Sequence, residues 1–136
     1  MVYALDTNII IKYLRNDPLV IQNFRKIVAT NHNIIIPQVV NYEMRRGFRI
    51  ATATRKKDNY DILLQNCIVI DMDPPSWKKA ELIYENLYRK GFTVGELDIL
   101  IAACCLTHDC TLVTNNTKDF VNIDELAIVD WTQVAY

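Results

Sequence analysis

Four carboxylates stand where the surrounding pattern gives them no obvious surface role. Asp6 closes the apolar run Val2-Tyr3-Ala4-Leu5 and is followed by Thr7 and Asn8. Glu43 lies four residues beyond Val39, on the helical face that also carries Val39, Val40 and Met44. Asp98 interrupts the run Leu97, Ile99, Leu100, Ile101, Ala102, Ala103, with no other charge nearby except Glu96. Asp119 ends the polar stretch Thr114-Asn115-Asn116-Thr117-Lys118, directly after the apolar Leu112 and Val113.

Taken singly, each has an ordinary explanation. An Asp after a strand caps a turn, Glu43 can pair with Arg46 at i+3, Asp98 can stay ionised near a helix N-terminus, and Asn, Thr and Asp are common loop residues. Brought to one edge of a sheet, the same acids repel and raise one another's pKa, so the cluster is costly without a cation. Oxygen donors, with no suitably spaced His or Cys, favour a hard divalent ion: Mg²⁺, with Mn²⁺ as a substitute. Such an ion keeps several waters and takes phosphate oxygens as further ligands, so a phosphate ester is the expected substrate class.

Whether the acids meet depends on the elements that carry them. Five short apolar runs, at 2–5, 33–36, 67–70, 111–114 and 127–130, alternate with segments of helical length. Strands this apolar read as buried on both faces, as in a parallel sheet covered by helices. The expected fold is α/β, a three-layer α/β/α sandwich around a central, mainly parallel sheet of four to five strands. In such a sheet the carboxyl ends of the strands line the ligand crevice, which places Asp6 and the segment from Thr114 to Asp119 at one edge. Asp17 before Pro18 marks one helix start, and Pro37 another. Pro74, Pro75 and Ser76 open a helix over 77–90 that Gly91 closes. Thr93-Val94-Gly95-Glu96 fits a capping box ahead of a buried helix over 97–106.

The 136 residues are 51% hydrophobic and 23% charged, with three Gly and four Pro, which predicts one domain over 1–136 with a sizeable core. No apolar run approaches the ~18 residues of a membrane span, and the N-terminus lacks a basic-then-apolar export signal; the expected location is cytoplasmic. Net charge is −1 but unevenly spread: residues 1–68 hold ten Lys and Arg against five acids, residues 69–136 five against eleven. Six cations, Arg45, Arg46, Arg49, Arg55, Lys56 and Lys57, fall within 45–57, which contains no acid. They read either as a solvated helix face or as a footprint for nucleic-acid phosphates. Cys67, Cys104, Cys105 and Cys110 read as reduced core thiols. A zinc site with His108 lacks a C-x-x-C pair, and adjacent cysteines project about 100° apart on a helix.

In this order, the segments resemble the PIN-domain ribonucleases, and within them the VapC toxins of bacterial type II toxin–antitoxin pairs. The likeness spans essentially the whole chain. It is carried by Leu5-Asp6-Thr7-Asn8, Val39-Val40-Asn41-Tyr42-Glu43-Met44-Arg45-Arg46-Gly47, Asp98-Ile99-Leu100-Ile101-Ala102-Ala103, and Leu112-Val113-Thr114-Asn115-Asn116 with Asp119-Phe120. The resemblance implies that Asp6, Glu43 and Asp98 are metal ligands, with Thr7 and Asn8 supporting the first and Thr114 lining the pocket. Many relatives carry Asp two residues after this threonine, where this chain has Asn116. The fourth acidic place is therefore open between Asn116 and Asp119, and one held ion plus one recruited with RNA is the expectation. Also implied are a homodimer and a cognate VapB-type antitoxin, whose C-terminal peptide lies in the acidic groove and brings Arg to the carboxylates. The toxin would form a heterotetramer or larger assembly with it. The implied substrate is a structured RNA, with initiator tRNA cut in its anticodon loop as the first choice.

The expected reaction is metal-assisted hydrolysis of an RNA phosphodiester, leaving 5′-phosphate and 3′-hydroxyl ends, while the cations of 45–57 grip phosphates beside the site. His32 and His108 have structural roles in this reading. A signalling receiver domain would pair acids near the end of strand one and place a Lys after strand five. A phosphatase of the haloacid dehalogenase type would need an Asp where Asn8 stands. The remaining alternative is a PIN fold that binds RNA without cutting it, which only turnover can separate from the enzyme.

Overall fold

Ile34, Ile35 and Ile36 set the pattern of the sheet: three β-branched residues in succession, all buried, in a strand paired on both sides. The computed structural model describes residues 1–136. Val2–Leu5 (β1) leads through Thr7–Leu14 (α1) and Pro18–Ala29 (α2) to Asn33–Pro37 (β2), then through Gln38–Ala51 (α3) and Thr54–Leu64 (α4) to Ile68–Ile70 (β3). Pro74–Lys90 (α5) and Glu96–Thr107 (α6) precede Thr111–Val113 (β4), and Thr117–Phe120 (α7) precedes Ile128–Val129 (β5).

The five strands pair in parallel in the order β3-β2-β1-β4-β5. Winding runs outward from β1 to β3 and then returns past β1 to β4 and β5. Right-handed crossovers on either side of such a reversal put helices on both faces, which gives the expected three layers. The reversal also opens a crevice at the carboxyl ends of β1 and β4.

Several local expectations need correction. At β3 the two-sided burial fails, with Ile68 and Val69 56% and 37% exposed, because an edge strand has a neighbour on one side only. Helix α5 begins at Pro74 instead of near residue 77; Asp73 is its N-cap and accepts the Ser76 N–H at 3.0 Å, so the prolines sit in a first turn that has no use for their missing donors. The capping box at Thr93 does not form. Gly95 is the N-cap of α6, without a side-chain bond, and Thr93 is exposed. Helical geometry therefore starts at Glu96, and Asp98 occupies the third helical position. Asp98 Oδ2 would lie 3.6 Å from a Cβ at residue 95, so its carboxylate folds back over the first turn.

The segment after β5 is pinned from inside. Asn23, buried on α2, donates from Nδ2 to Trp131 O at 3.0 Å and Val134 O at 2.6 Å, and accepts the Tyr136 N–H at 2.9 Å. The Trp131 ring is fully buried, 5.8 Å from the Tyr3 ring. Asn23→Ala strands two carbonyls and an N–H. It should lower the unfolding free energy by about 2–3 kcal/mol in urea titrations, with 131–136 the first region cut in limited proteolysis.

Candidate active site

Leu5 stands opposite Val113 in the β1–β4 register, and one step on, the Asp6 N–H donates to Val113 O at 3.0 Å. Asp6 thus leaves β1 beside Thr114 and caps α1. It is 5% exposed. Oδ2 accepts Thr114 Oγ1–H at 2.8 Å and Asn8 Nδ2–H at 3.0 Å, which fills its lone pairs, whereas Oδ1 accepts only the Thr7 N–H at 2.8 Å. Burial raises the Asp6 pKa; the donors from Thr114, Thr7 and Asn8 hold the rise back, and the charge of Asp119 adds to it. Thr114 is saturated as well, since its hydroxyl also accepts from Asn8 Nδ2 at 3.3 Å and from the Asn116 N–H at 3.0 Å.

Helix α3 delivers Glu43, half-buried, to the same edge. Its Oε1 accepts Thr7 Oγ1–H at 3.0 Å, so Thr7 joins the two acids by serving Asp6 with its backbone and Glu43 with its hydroxyl. Burial raises the Glu43 pKa, the Thr7 bond opposes that, Asp6 adds to it and Arg46 offsets it. The i+3 ion pair with Arg46 is not made; that guanidinium lies over the Tyr42 ring, 5.1 Å from its centroid. Asp98 enters from the first turn of α6. Its carboxyl is pushed up to about 6, by burial first and then by the charges of Asp6, Asp119 and Glu43. Asp119 is exposed on α7, and Asn116 faces solvent while lending its backbone N–H to Thr114. The charge of Asp119 adds to the raised pKa of both Asp6 and Asp98.

With the side chains as they stand, no three acids, histidines or cysteines close into a metal cage. The donors are nevertheless all oxygen, Asp6 Oδ1 keeps a free lone pair, and Asp98, raised by burial first, is raised further by the charges of the other three acids. That set fits Mg²⁺, which binds through one or two carboxylates and keeps its waters, better than an ion needing a full protein cage.

A PIN domain family profile matches residues 3–126. Ribonuclease VapC2 of Rickettsia felis is 31% identical over 134 residues, covering 96% of this chain and 98% of that protein. The chain belongs to the VapC branch of the PIN-domain family. The crystal structure of VapBC2 from Rickettsia felis bound to a promoter DNA fragment matches this PIN domain with a TM-score of 0.90 and 28% identity, over 96% of this chain and 99% of that one. The tRNA(fMet)-specific endonuclease VapC of Shigella flexneri is 25% identical over 134 residues, 96% of this chain and 98% of that protein.

In this PIN domain the basic run is divided by its neighbours. Arg45 and Lys57 both reach Asp61, each at 3.3 Å, Arg46 lies on Tyr42, and Arg49 and Arg55 are exposed. Lys56 instead joins Arg15 in lining a groove with Thr7 and Glu43, whose apolar wall is Ile11, Leu14, Met44 and Phe48. Cys104, Cys105 and Cys110 are buried, and burial pushes the Cys104 thiol up to about 12. His108 Nε2 sits 3.2 Å from Asp73 Oδ2, and His32 Nδ1 3.2 Å from the terminal amine. Sequence reasoning gave Asn115 no role of its own and did not single out Asp130 or Thr132, and these three bond together beside Asn8. The available signal was an Asp-x-Thr turn leaving the last strand at the same sheet edge.

Asp98 also makes folding pH-dependent. A raised folded pKa means the folded carboxyl holds its proton more tightly, so its contribution favours folding below the ordinary value of 3.8 and is lost as pH rises through about 6. Asp98→Asn should stabilise the metal-free protein near neutral pH by about 1 kcal/mol, after solvent screening. Melting curves should show that gain vanish below the ordinary carboxylate range.

Proposed function

We propose that this protein is a Mg²⁺-dependent endoribonuclease toxin, with Mn²⁺ as a substitute, that hydrolyses a phosphodiester of structured RNA and is neutralised by a cognate VapB-type antitoxin. Asp98 carries the reading: a half-buried carboxyl pushed up to about 6 beside three further acids in a sheet crevice is the electrostatic form of a cation site. Membership of the VapC branch supports RNA as substrate. The relative named a tRNA(fMet)-specific endonuclease supports tRNA, with the initiator anticodon loop as first choice.

Asp6, whose Oδ1 has a lone pair to spare, Glu43 and Asp98 would hold the cation, and Asp119 would complete the acidic set. When bound, the cation supplies Lewis-acid stabilisation of the phosphate and acidifies the attacking water. Thr7, Asn8 and Thr114 fix the plane of the Asp6 carboxylate, and Thr7 ties Glu43 to it. In-line attack by water breaks the P–O3′ bond and leaves 5′-phosphate and 3′-hydroxyl ends. Lys56 in the groove, with Arg45, Arg46, Arg49, Arg55 and Lys57 along α3 and α4, contacts RNA phosphates. The apolar wall beside Glu43 supports the docking of an antitoxin segment there. Exposed Trp77, Tyr84 and Tyr88 on α5 support a homodimer, and a heterotetramer or larger assembly with the antitoxin.

The test is incubation of total bacterial tRNA with the antitoxin-free protein and Mg²⁺ or Mn²⁺, reading the cut ends by sequencing. Discrete cuts that EDTA and Asp98→Asn abolish are the expected result. Binding of tRNA without cleavage by the folded protein would replace the enzyme with a binding-only PIN domain. Charge reversal of Arg55, Lys56 and Lys57 should flatten the salt dependence of tRNA binding, by ~0.7–0.9 in log-log slope for each phosphate no longer neutralised.

A further inference from the structure

The Asn115 N–H donates to Asn8 Oδ1 at 2.9 Å. That bond decides which end of the Asn8 amide meets Asp6. With its oxygen taken, Asn8 turns its NH₂ to Asp6 Oδ2 and Thr114 Oγ1. The opposite orientation would set two acceptors face to face.

Asn115 is in turn held from β5. Its Nδ2 donates to Asp130 Oδ2 at 3.2 Å and to Thr132 Oγ1 at 3.1 Å. Asp130 Oδ1 accepts both the Thr132 N–H at 2.8 Å and the Thr132 hydroxyl at 2.6 Å. Both oxygens of Asp130 are therefore committed, Oδ1 within the turn and Oδ2 to Asn115, although it is a further acid at this end of the sheet. Between the two clamp residues sits Trp131, fully buried, its carbonyl held by Asn23. The clamp thus stands on the core, while the residue it grips opens the segment between β4 and α7.

We propose that Asn115, clamped by Asp130 and Thr132, is a positioning residue for the Asp6 carboxylate: by fixing the Asn8 amide it keeps Asp6 Oδ2 saturated and leaves Oδ1 as the oxygen that would be free for a cation. This rests on the reading of Asp6 as a cation ligand.

Asn115→Ala keeps the backbone donor but removes the clamp; Thr132→Val removes the hydroxyl at nearly constant shape, and Thr132→Ser keeps it. Two quantities are read: the side-chain amide resonances of Asn8 without metal or RNA, and Mn²⁺ affinity by paramagnetic titration. Asn115→Ala and Thr132→Val should shift the Asn8 resonances and weaken Mn²⁺ binding about tenfold, with Thr132→Ser close to wild type in both. In an Asn8→Ala background, Asn115→Ala should weaken Mn²⁺ binding no further, since the two act along one chain of bonds. Unmoved Asn8 resonances, or an Asn115 effect undiminished without Asn8, would overturn the proposal. If the wild type binds no Mn²⁺ yet the Asn8 resonances respond to Asn115→Ala, the cation reading fails and the link from Asn115 to Asn8 stands. If Asn115→Ala does not fold, the Thr132 pair carries the same test.

Discussion

Asp6 and Thr114 are 108 residues apart in sequence and 2.8 Å apart in space, and the parallel register of β1 on β4 fixes that distance. Parallel neighbours cannot be joined by a tight turn, so everything from α1 to α6 is one excursion between them. On its outward leg the excursion lays Glu43 on α3, and on its return it lays Asp98 in the first turn of α6. Because the winding reverses at β1, both arrive at the edge where Asp6 emerges. If β1 and β4 slipped by one residue, Asp6 would lose both the Val113 carbonyl and the Thr114 hydroxyl, and with them the compensation for burying its charge.

That compensation is uneven, and the unevenness bears on function. Asp6 is almost wholly buried yet bonded by three donors; Asp98 is more open, receives no bond from a neighbouring side chain, and carries the largest carboxylate displacement, to about 6. Stability here comes from elsewhere: Leu5, Ile9, Ile10, Ile34, Ile36 and Leu112 are buried almost completely beneath the acidic edge. A core of that kind tolerates several mutually repelling carboxylates at its rim, the usual relation between a stable scaffold and a destabilised active site. The rigid positions matter too. Asp6 caps a helix, Thr7 begins it, and Asp98 lies in a first turn, so the main donors and acids belong to element ends rather than long loops.

Charge is organised at a larger scale by the same topology. The first half of the chain is net basic and the second net acidic. Folding sets Arg15, after α1, and Lys56, on α4, along the groove that opens at Glu43. Asp61 tempers the field by holding Arg45 and Lys57, leaving Lys56 as the member of the run nearest the site.

Asp6, Glu43 and Asp98 stood out in the sequence because each ends or breaks an apolar pattern, which is visible without knowing what lies opposite, whereas Asp119, in a polar stretch, stood out only in combination with them. The α/β alternation and the cap at Asp17 were legible for the same reason: strand and helix period and capping are properties of adjacent residues. The start of α6 at Gly95 was not, since the Thr93 box is an equally good local solution and packing against α5 and the sheet chose the other. Nor was the exposure of β3, which depends on its place at the sheet edge. In the partition of the basic run, the Lys57–Asp61 and Arg46–Tyr42 contacts are four-residue steps within α4 and α3, and only the Arg45–Asp61 pair depends on how the two helices cross. The clamp of Asn115 by Asp130 and Thr132 joins residues 15 and 17 positions apart, and its bond to Asn8 spans 107. Sequence by itself determined which residues are chemically out of place and which elements carry them, because burial period and backbone propensity act over a few residues. Only the tertiary structure decided which donors those residues meet, because a hydrogen bond needs a partner within about 3 Å, and that distance is set by sheet order and register, not by neighbours in the chain.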